Sequence, residues 1–203
     1  MALHTLSKAL NPDDYHSLGD EIARVRHAQA MFKGLHNFDH QHRLWEYSIA
    51  LAATGPRGSL AGKKVVDVGA SYSIFGGMLV WSGANVTAVD VSDHRAQQES
   101  MGRAGADDHG RATPGGSLDF CQMDFARWAG GDFDFVFCIS TIEHNEHDEV
   151  LFQALVSAVK PGGTLVMTTD FHPSGVAQLT AHCRCYNGPM LEKLASSSGL
   201  VAE

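Results

Sequence analysis

Positively charged residues are scarce in this chain of 203 residues. It has 15 lysines and arginines against 23 aspartates and glutamates, so its formal net charge is -8 at pH 7, and no local basic cluster stands out. A protein that holds a phosphate backbone needs a continuous basic patch. The sequence therefore argues against nucleic acid as a partner.

Long apolar runs are also absent. No segment approaches the ~20 residues of a membrane-spanning helix, and the start, MALHTLSKALNPDDY, lacks the charged-then-apolar order of a signal peptide. The 4 cysteines, Cys121, Cys138, Cys183 and Cys185, do not have the spacing of a disulfide framework. We expect a cytoplasmic protein with reduced thiols and without a membrane partner.

Hydrophobic residues are plentiful, at 44% of the chain. That content suits one domain in which helices cover both faces of a sheet. We predict a single domain over residues 1–203, with an N-terminal helical lid at 1–58 and an α/β core at 59–203. Apolar stripes predict two lid helices, one carrying Leu18, Ile22, Val25 and Phe32 and one from about His40 to Ala53.

The pattern changes after Lys63 to short β-branched runs that alternate with helical stretches, which is typical of βαβ units and a parallel sheet. The predicted strands are Lys64 to Val68, Val86 to Val89, Leu118 to Met123, Phe133 to Cys138 and Thr164 to Thr169. The predicted helices are Ile74 to Ser82, Asp93 to Met101, Glu146 to Val159 and Pro189 to Ser198. Pro161-Gly162-Gly163 predicts a turn, and residues 102–117, rich in Gly, Asp and Ala, a surface loop.

Residues 65–93, VVDVGASYSIFGGMLVWSGANVTAVDVSD, carry the clearest functional signal. A strand ends near Asp67, a small-residue turn follows from Gly69, and a second strand ends in Asp90. Ligands of an open parallel sheet bind beyond the carboxyl ends of its strands, where the strand order reverses. Gly69 lets a ligand approach the backbone closely, and Asp90 can accept two hydroxyl hydrogen bonds from a ribose.

With these residues the sequence resembles the class I S-adenosylmethionine-dependent methyltransferases, over most of residues 63–170. The first motif of that family reads Asp-x-Gly-x-Gly-x-Gly. Here it is Asp67-Val68-Gly69-Ala70-Ser71-Tyr72-Ser73, with serines at the second and third glycine positions, where they can keep the turn and add hydroxyl donors. The resemblance implies a Rossmann-like α/β fold, S-adenosylmethionine as cofactor, and methyl transfer to a small molecule.

The resemblance also implies roles for residues in later segments. Asp90 matches the ribose-binding acid, with Val91 beside it as an apolar wall for adenine. CQMDFARW is similar to the segment that contacts the adenine amino group, and FDFVFCISTIEHNEHDEV to the fourth strand and its loop, which touches the methionine part of the cofactor. The implied cofactor-binding residues are Asp67, Gly69, Ala70, Ser71, Asp90, Val91, Asp124, Phe125, Ile139 and Ser140.

The acceptor side is predicted from the pair Glu143-His144, which resembles a pair in several small-molecule methyltransferases of this class. His144 could take a proton from a hydroxyl or amine, because histidine titrates near neutral pH. It could equally cap backbone while Glu143 packs against the next helix. Substrate-binding roles are predicted for His172 and for Tyr47, whose segment HRLWEYSIALAA resembles lid helices of this class, although such aromatics also occur in cores.

No metal site is predicted. Some relatives hold a divalent metal with Glu-x-x-Glu-His and a later His, but Ser140 occupies the first Glu position here. His147, His172 and the run His182-Cys183-x-Cys185 form no recognised zinc spacing.

Two other functions stay open. The chain could bind an adenosyl ligand and transfer nothing, or it could be an NAD-dependent oxidoreductase, for which the turn at Gly69 fails the Gly-x-Gly-x-x-Gly rule at two positions. The family's last strand pair is expected to be short or absent here. The outer edge of the fifth strand could then pair with a second copy in a homodimer.

Overall fold

A parallel sheet forms the centre of the protein. The structure, a computed structural model, describes residues 2–3, 17–33, 41–55, 60–106, 115–173, 183–198 and 201–202. The strands are β1 (Ala2–Leu3), β2 (Lys64–Val68), β3 (Asn85–Asp90), β4 (Ser117–Gln122), β5 (Phe133–Ile139), β6 (Val159–Thr168) and β7 (Val201–Ala202). Strands β2 to β6 make a five-stranded parallel sheet in the order β4-β3-β2-β5-β6, and β1 pairs with β7 separately. The predicted parallel sheet is confirmed.

Helices cover both faces of this sheet. They are α1 (Gly19–Met31), α2 (Gln41–Ala52), α3 (Phe75–Trp81), α4 (Arg95–Ala106), α5 (Asp148–Ala158) and α6 (Gly188–Ser197), with short 3-10 turns at Phe125–Arg127 and Ile142–His144. Buried residues of α1 to α4 share one core cluster with Val65 and Phe137, and those of α5 and α6 share another with Val66 and Val136. Val65 and Val66 join opposite clusters because successive side chains of a strand point to opposite faces.

The two N-terminal helices belong to the main core. Val25 of α1 and Leu51 of α2 are fully buried in the same cluster as β2 and α3. Helix α2 therefore sits close enough to the carboxyl ends of the strands to contribute side chains there. The predicted start of the first helix at Asn11-Pro12 lies outside the described residues.

Strand β6 begins five residues earlier than predicted. Val159 already pairs with Phe133, and regular pairing resumes when Thr164 pairs with Phe135. Gly162, with φ +79°, lies between them, so the predicted turn at Pro161-Gly162-Gly163 is an irregularity within the strand.

Helix α4 also extends further than predicted, to Ala106. Residues 102–106, expected in a surface loop, are helical. In the part of the chain that the structure describes, no helix combines the length and hydropathy needed to cross a membrane.

Candidate functional site

The site lies where the order of the strands reverses. Strand β2 has β3 on one side and β5 on the other, and the chain visits β3 before it returns to β5. Ligands of open α/β sheets bind at this point, beyond the carboxyl ends of the strands. Asp67 is the second-last residue of β2 and Asp90 the last of β3. Both predicted acids therefore reach the same edge of the sheet, on neighbouring strands.

The turn after β2 has an unusual backbone. Gly69 has φ +76° and Ser71 φ +39°, and among the described residues other than glycine only Ser71 and Ser140 have a positive φ. The N–H groups of Gly69 and Ala70 both donate to Val89 O, at 2.8 and 3.1 Å. The turn is thereby attached to the end of β3.

Gly69 is required for contact with the protein itself. A methyl group there would overlap the side chain of Thr141 and lie 2.8 Å from Thr141 Cβ. The close approach by a ligand that the sequence predicts stays a prediction, and the structure shows that the backbone of the turn meets the segment after β5. Gly69 thus brings two predicted cofactor-binding segments together.

Asp90 accepts backbone hydrogen bonds from the turn after β2 and from the loop that follows β3. Its Oδ2 accepts from Ser71 N at 3.0 Å and its Oδ1 from Ser92 N at 2.9 Å. Because a carboxylate oxygen has two acceptor positions, each can accept one more donor, and His94 Nε2 lies 3.9 Å from Oδ1. Val91 follows with 66% of its surface exposed. An acceptor for hydroxyls and an exposed apolar side chain therefore lie next to each other.

Asp67 is nearly inaccessible, with 2% of its surface exposed. Burial, assisted by the negative charge of Asp90, raises its pKa to about 7, while a hydrogen bond from Gly76 N–H and the charge of Arg43 act in the opposite direction. Its Oδ2 is buried and has no hydrogen-bond partner among the described residues. An orphaned carboxylate oxygen with a perturbed pKa in a cleft is a common sign of a functional site.

The segment after β5 is tied to helix α2. Ser140 N–H donates to Thr168 O and Oγ1, at 3.1 and 3.0 Å. Both hydroxyls, Ser140 Oγ and Thr168 Oγ1, donate to Oε1 of Glu46, whose other oxygen accepts from Arg43 at 2.9 Å. Glu46 is buried, and the sequence analysis missed it. Its only sequence signal is an acid between Trp45 and Tyr47, in a helix that also has a buried face.

Tyr47 combines a core position with a contact to the turn. Its ring stacks on Phe75, with centroids 5.2 Å apart, and its hydroxyl lies 3.0 Å from Ser73 Oγ. Ser73 Oγ in turn accepts from Phe75 N. Burial raises the pKa of Tyr47 to about 12, so the phenol stays protonated. The predicted substrate-binding role remains a prediction.

The residues predicted to contact adenine differ in accessibility. Asp124 is partly exposed, caps a 3-10 turn by accepting from Ala126 N at 3.0 Å, and lies 3.8 Å from Arg127. Phe125 is buried and stacks on Trp128, in the core cluster of α5 and α6. The side chain of Asp124 is therefore accessible to a ligand, whereas that of Phe125 packs in the core and anchors the 3-10 turn there.

The predicted acceptor residues lie at the end of β5 and β6. Glu143 is buried, its Oε2 accepts from Thr169 Oγ1 at 3.2 Å, and burial raises its pKa to about 7. Ile139, the last residue of β5, is also buried, whereas His144 and His172 are exposed. No group of three or more potential metal ligands occurs among the residues that the structure describes.

A segment near the C-terminus borders this acceptor side. Arg184 N–H donates to Glu143 O, and Tyr186 exchanges backbone hydrogen bonds with Asp170 and His172. The carboxylate of Asp148 pairs with the Arg184 guanidinium and accepts from the hydroxyl of Tyr186 at 2.9 Å. This network fixes the segment against the loop that carries Glu143.

The model of the family described as "Methyltransferase domain" matches residues 66–167, which is half of the chain and includes the end of β2, the turn, β3 to β5 and both acids. The chain belongs to this methyltransferase family. The resemblance to class I S-adenosylmethionine-dependent methyltransferases and their Rossmann-like fold is confirmed.

Curated relatives agree with this membership. The chain is 29% identical over 144 residues to the ubiquinone biosynthesis O-methyltransferase of Pseudomonas aeruginosa, covering 70% of this chain and 55% of that protein. With the protein of the same name from Ralstonia nicotianae it is 31% identical over 153 residues, 74% of this chain and 57% of the relative. The chain thus spans about half the length of the curated relatives that it matches.

The fold is also that of the magnesium protoporphyrin IX methyltransferase of Synechocystis, solved with bound S-adenosylhomocysteine (SAH). The TM-score is 0.54 at 17% identity, and the match covers 94% of this chain and 89% of that chain.

Proposed function

We propose that this chain binds S-adenosylmethionine across the carboxyl ends of β2, β3 and β5 and transfers its methyl group to a small molecule. The observation that supports this most strongly is the pair of acids at the cleft. Asp90 keeps free acceptor positions beside the exposed Val91, and Asp67 keeps an orphaned buried oxygen. A ligand with ribose hydroxyls, an apolar base and cationic groups matches this arrangement.

The residues present suit each part of that cofactor. Asp90 would accept the ribose hydroxyls, Val91 and Asp124 would border the adenine, and Ser140 with the turn at Gly69 would border the methionine part. When ionised, Asp67 favours a positively charged ligand nearby. When bound, the cofactor supplies an electrophilic methyl group on a sulfonium, and its sulfur leaves as a neutral thioether.

The chain's own task is positioning and exclusion of water. Holding two reactants in line can lower a barrier by about 7 kcal/mol or more, so a general base is an aid and not a requirement. Glu143 is the better-supported base, because its raised pKa of about 7 lets its carboxyl accept a proton near neutral pH. The exposed His144 could pass that proton to solvent. Tyr47 and His172 are proposed to border the acceptor.

The acceptor atom is proposed to be a hydroxyl oxygen of a small molecule. Two curated relatives carry the name O-methyltransferase, and the net charge of -8 disfavours nucleic acid.

We further infer a cytoplasmic location and a homodimer. All 4 cysteines are free, as expected in a reducing compartment. In the described sheet β6 pairs only with β5, so its other edge could meet a second copy. Native mass spectrometry tests this inference, since a strict monomer at micromolar concentration contradicts edge pairing.

Calorimetric titration with S-adenosylmethionine, SAH and NAD tests the proposal. We expect both adenosyl ligands to bind and NAD not to bind. Transfer of a labelled methyl group to catechol, phenol and aniline is then measured, and we expect transfer to oxygen. Binding of NAD alone would favour an oxidoreductase. Adenosyl binding without transfer to any acceptor would favour a binding protein.

A further inference from the structure

Gln98 lies outside every motif of the sequence and yet contacts the centre of the cofactor turn. It belongs to α4 and is fully buried. Its amide Nε2 lies within hydrogen-bond distance of three backbone carbonyls of the turn. The distances are 3.2 Å to Ala70 O, 2.8 Å to Ser71 O and 3.1 Å to Ser73 O.

The conformation of this turn needs such support. Ser71 has φ +39°, a region that side chains with a Cβ enter at a cost in free energy. Ser71 stands where a glycine would adopt that backbone freely. Three carbonyl oxygens that converge in a dry interior also need a donor, because leaving buried acceptors without one is costly. The amide of Gln98 supplies that donor from another element of the fold.

The same turn holds the acid that is proposed to bind ribose. Ser71 accepts from Gln98 through its carbonyl and donates to Asp90 Oδ2 through its N–H, at 3.0 Å. A single residue, Ser71, therefore connects Gln98 to Asp90 through hydrogen bonds. The amide oxygen of Gln98 and the carboxylate of Asp67 both lie near Gly76 in the first turn of α3, since a methyl group on Gly76 would lie 3.3 Å from Gln98 Oε1 and 3.7 Å from Asp67 Oδ2.

We infer that Gln98 is a positioning residue of the cofactor site, which fixes the left-handed Ser71 and, through it, the orientation of Asp90. The inference rests on the proposed function, because it assigns the cofactor to this turn. Gln98 does not need to touch the cofactor. It acts by holding Ser71 so that the N–H group of this residue points to Asp90.

The substitution Gln98→Met tests this role, because methionine has a similar length but no donor. We expect the KM and the dissociation constant for S-adenosylmethionine to rise about tenfold, with kcat within about twofold. The matched control is Ser82→Ala. It removes a buried hydroxyl that donates to Met78 O and accepts from Arg24, at the other end of α3 from the turn. The melting temperature of Ser82→Ala should fall about as much as that of Gln98→Met, while its cofactor affinity stays unchanged.

A double-mutant cycle with Asp90→Asn separates positioning from general destabilisation. If Gln98 acts through Ser71 on Asp90, the two losses in affinity are strongly non-additive, because removing Asp90 removes what Gln98 positions. Additive losses, or an affinity loss in Ser82→Ala equal to that in Gln98→Met, would overturn the inference.

A measurement on the unmodified protein covers the case in which Gln98→Met does not fold. The side-chain amide protons of Gln98, followed by NMR, should exchange slowly with solvent and shift when SAH is added. Fast exchange, or no shift while SAH binds, overturns the positioning role alone. Failure of the unmodified protein to bind SAH overturns the proposed site as well.

Discussion

Two glycines with nearly the same backbone conformation separate the effect of φ from the effect of crowding. Gly69 has φ +76° and Gly62 φ +70°. A methyl group on Gly62 would meet nothing within 4 Å, whereas one on Gly69 would overlap the side chain of Thr141. Alanine at either position raises the free energy of the folded state because its backbone must stay in the left-handed region. Only Gly69→Ala also pushes the turn away from the segment that follows β5.

The magnitudes follow from these two costs. The left-handed backbone destabilises alanine by about 1 to 2 kcal/mol, and overpacking a rigid contact adds about 1 to 3 kcal/mol. We therefore expect Gly62→Ala to lower the free energy of unfolding by about 1 to 2 kcal/mol and Gly69→Ala by about 2 to 5 kcal/mol. Gly69→Ala should also weaken binding of S-adenosylmethionine, and Gly62→Ala should not.

Urea unfolding with matched m-values gives the stabilities, and calorimetry gives the affinities. Combining Gly69→Ala with Thr141→Gly removes the atoms that the methyl group would overlap, so the pair should recover part of the lost affinity. Equal losses in the two single variants, or no recovery in the pair, would refute the claim that Thr141 presses on the cofactor turn.

Three further predictions concern the acids of the site. Asp90→Ala should weaken S-adenosylmethionine about tenfold or more by calorimetry, because it removes the acceptor for ribose hydroxyls, and unchanged affinity contradicts that assignment. The pKa of Asp67 is raised in the folded state from 3.8 to about 7, so the native protein retains a proton that the unfolded chain has released. Its contribution to stability should decline as pH rises from about 4 to about 7; Asp67→Asn should flatten that decline in unfolding experiments, and an unaltered pH profile would argue against the raised pKa. Glu143→Gln should lower kcat, and it should abolish the rise of kcat with pH that we expect near pH 7, where the Glu143 carboxyl of the unmodified protein loses its proton. The dissociation constant of the cofactor should stay within about twofold. An unchanged pH–rate profile would exclude Glu143 as the base.

The sequence predicts β2 at its observed bounds because KVVDV is buried on both faces and ends at a glycine. It also predicts that Asp67 and Asp90 reach one edge, since parallel strands place their carboxyl ends together. Local patterns, combined with this general rule of α/β sheets, are thus enough to predict where the two acids and the turn between them lie.

The glycines of α4 show where local patterns mislead. Gly102 and Gly105 were assigned to a loop, yet both are helical and permit close packing. A methyl group on Gly102 would lie 2.7 Å from Leu118 Cβ, and one on Gly105 would lie 2.5 Å from Gly77 O. Glycine there allows α4 to approach β4 and α3, which is a tertiary requirement that composition does not reveal.

The same limit explains why Glu46 and Gln98 were missed. Each acts through hydrogen bonds to residues far along the chain, Glu46 to Ser140 and Thr168 and Gln98 to the turn. Neither has a motif of its own. Only the packing of α2 and α4 brings them to the ends of the strands.

The central claim is that Asp67 and Asp90 border one adenosyl-binding cleft, and a crystal structure with SAH tests it most directly. The account predicts ribose hydroxyls within about 3 Å of the Asp90 carboxylate, adenine against Val91, and the amino-acid part between Ser140 and the turn at Gly69. SAH bound away from both acids, or a wall of protein between them, would contradict it.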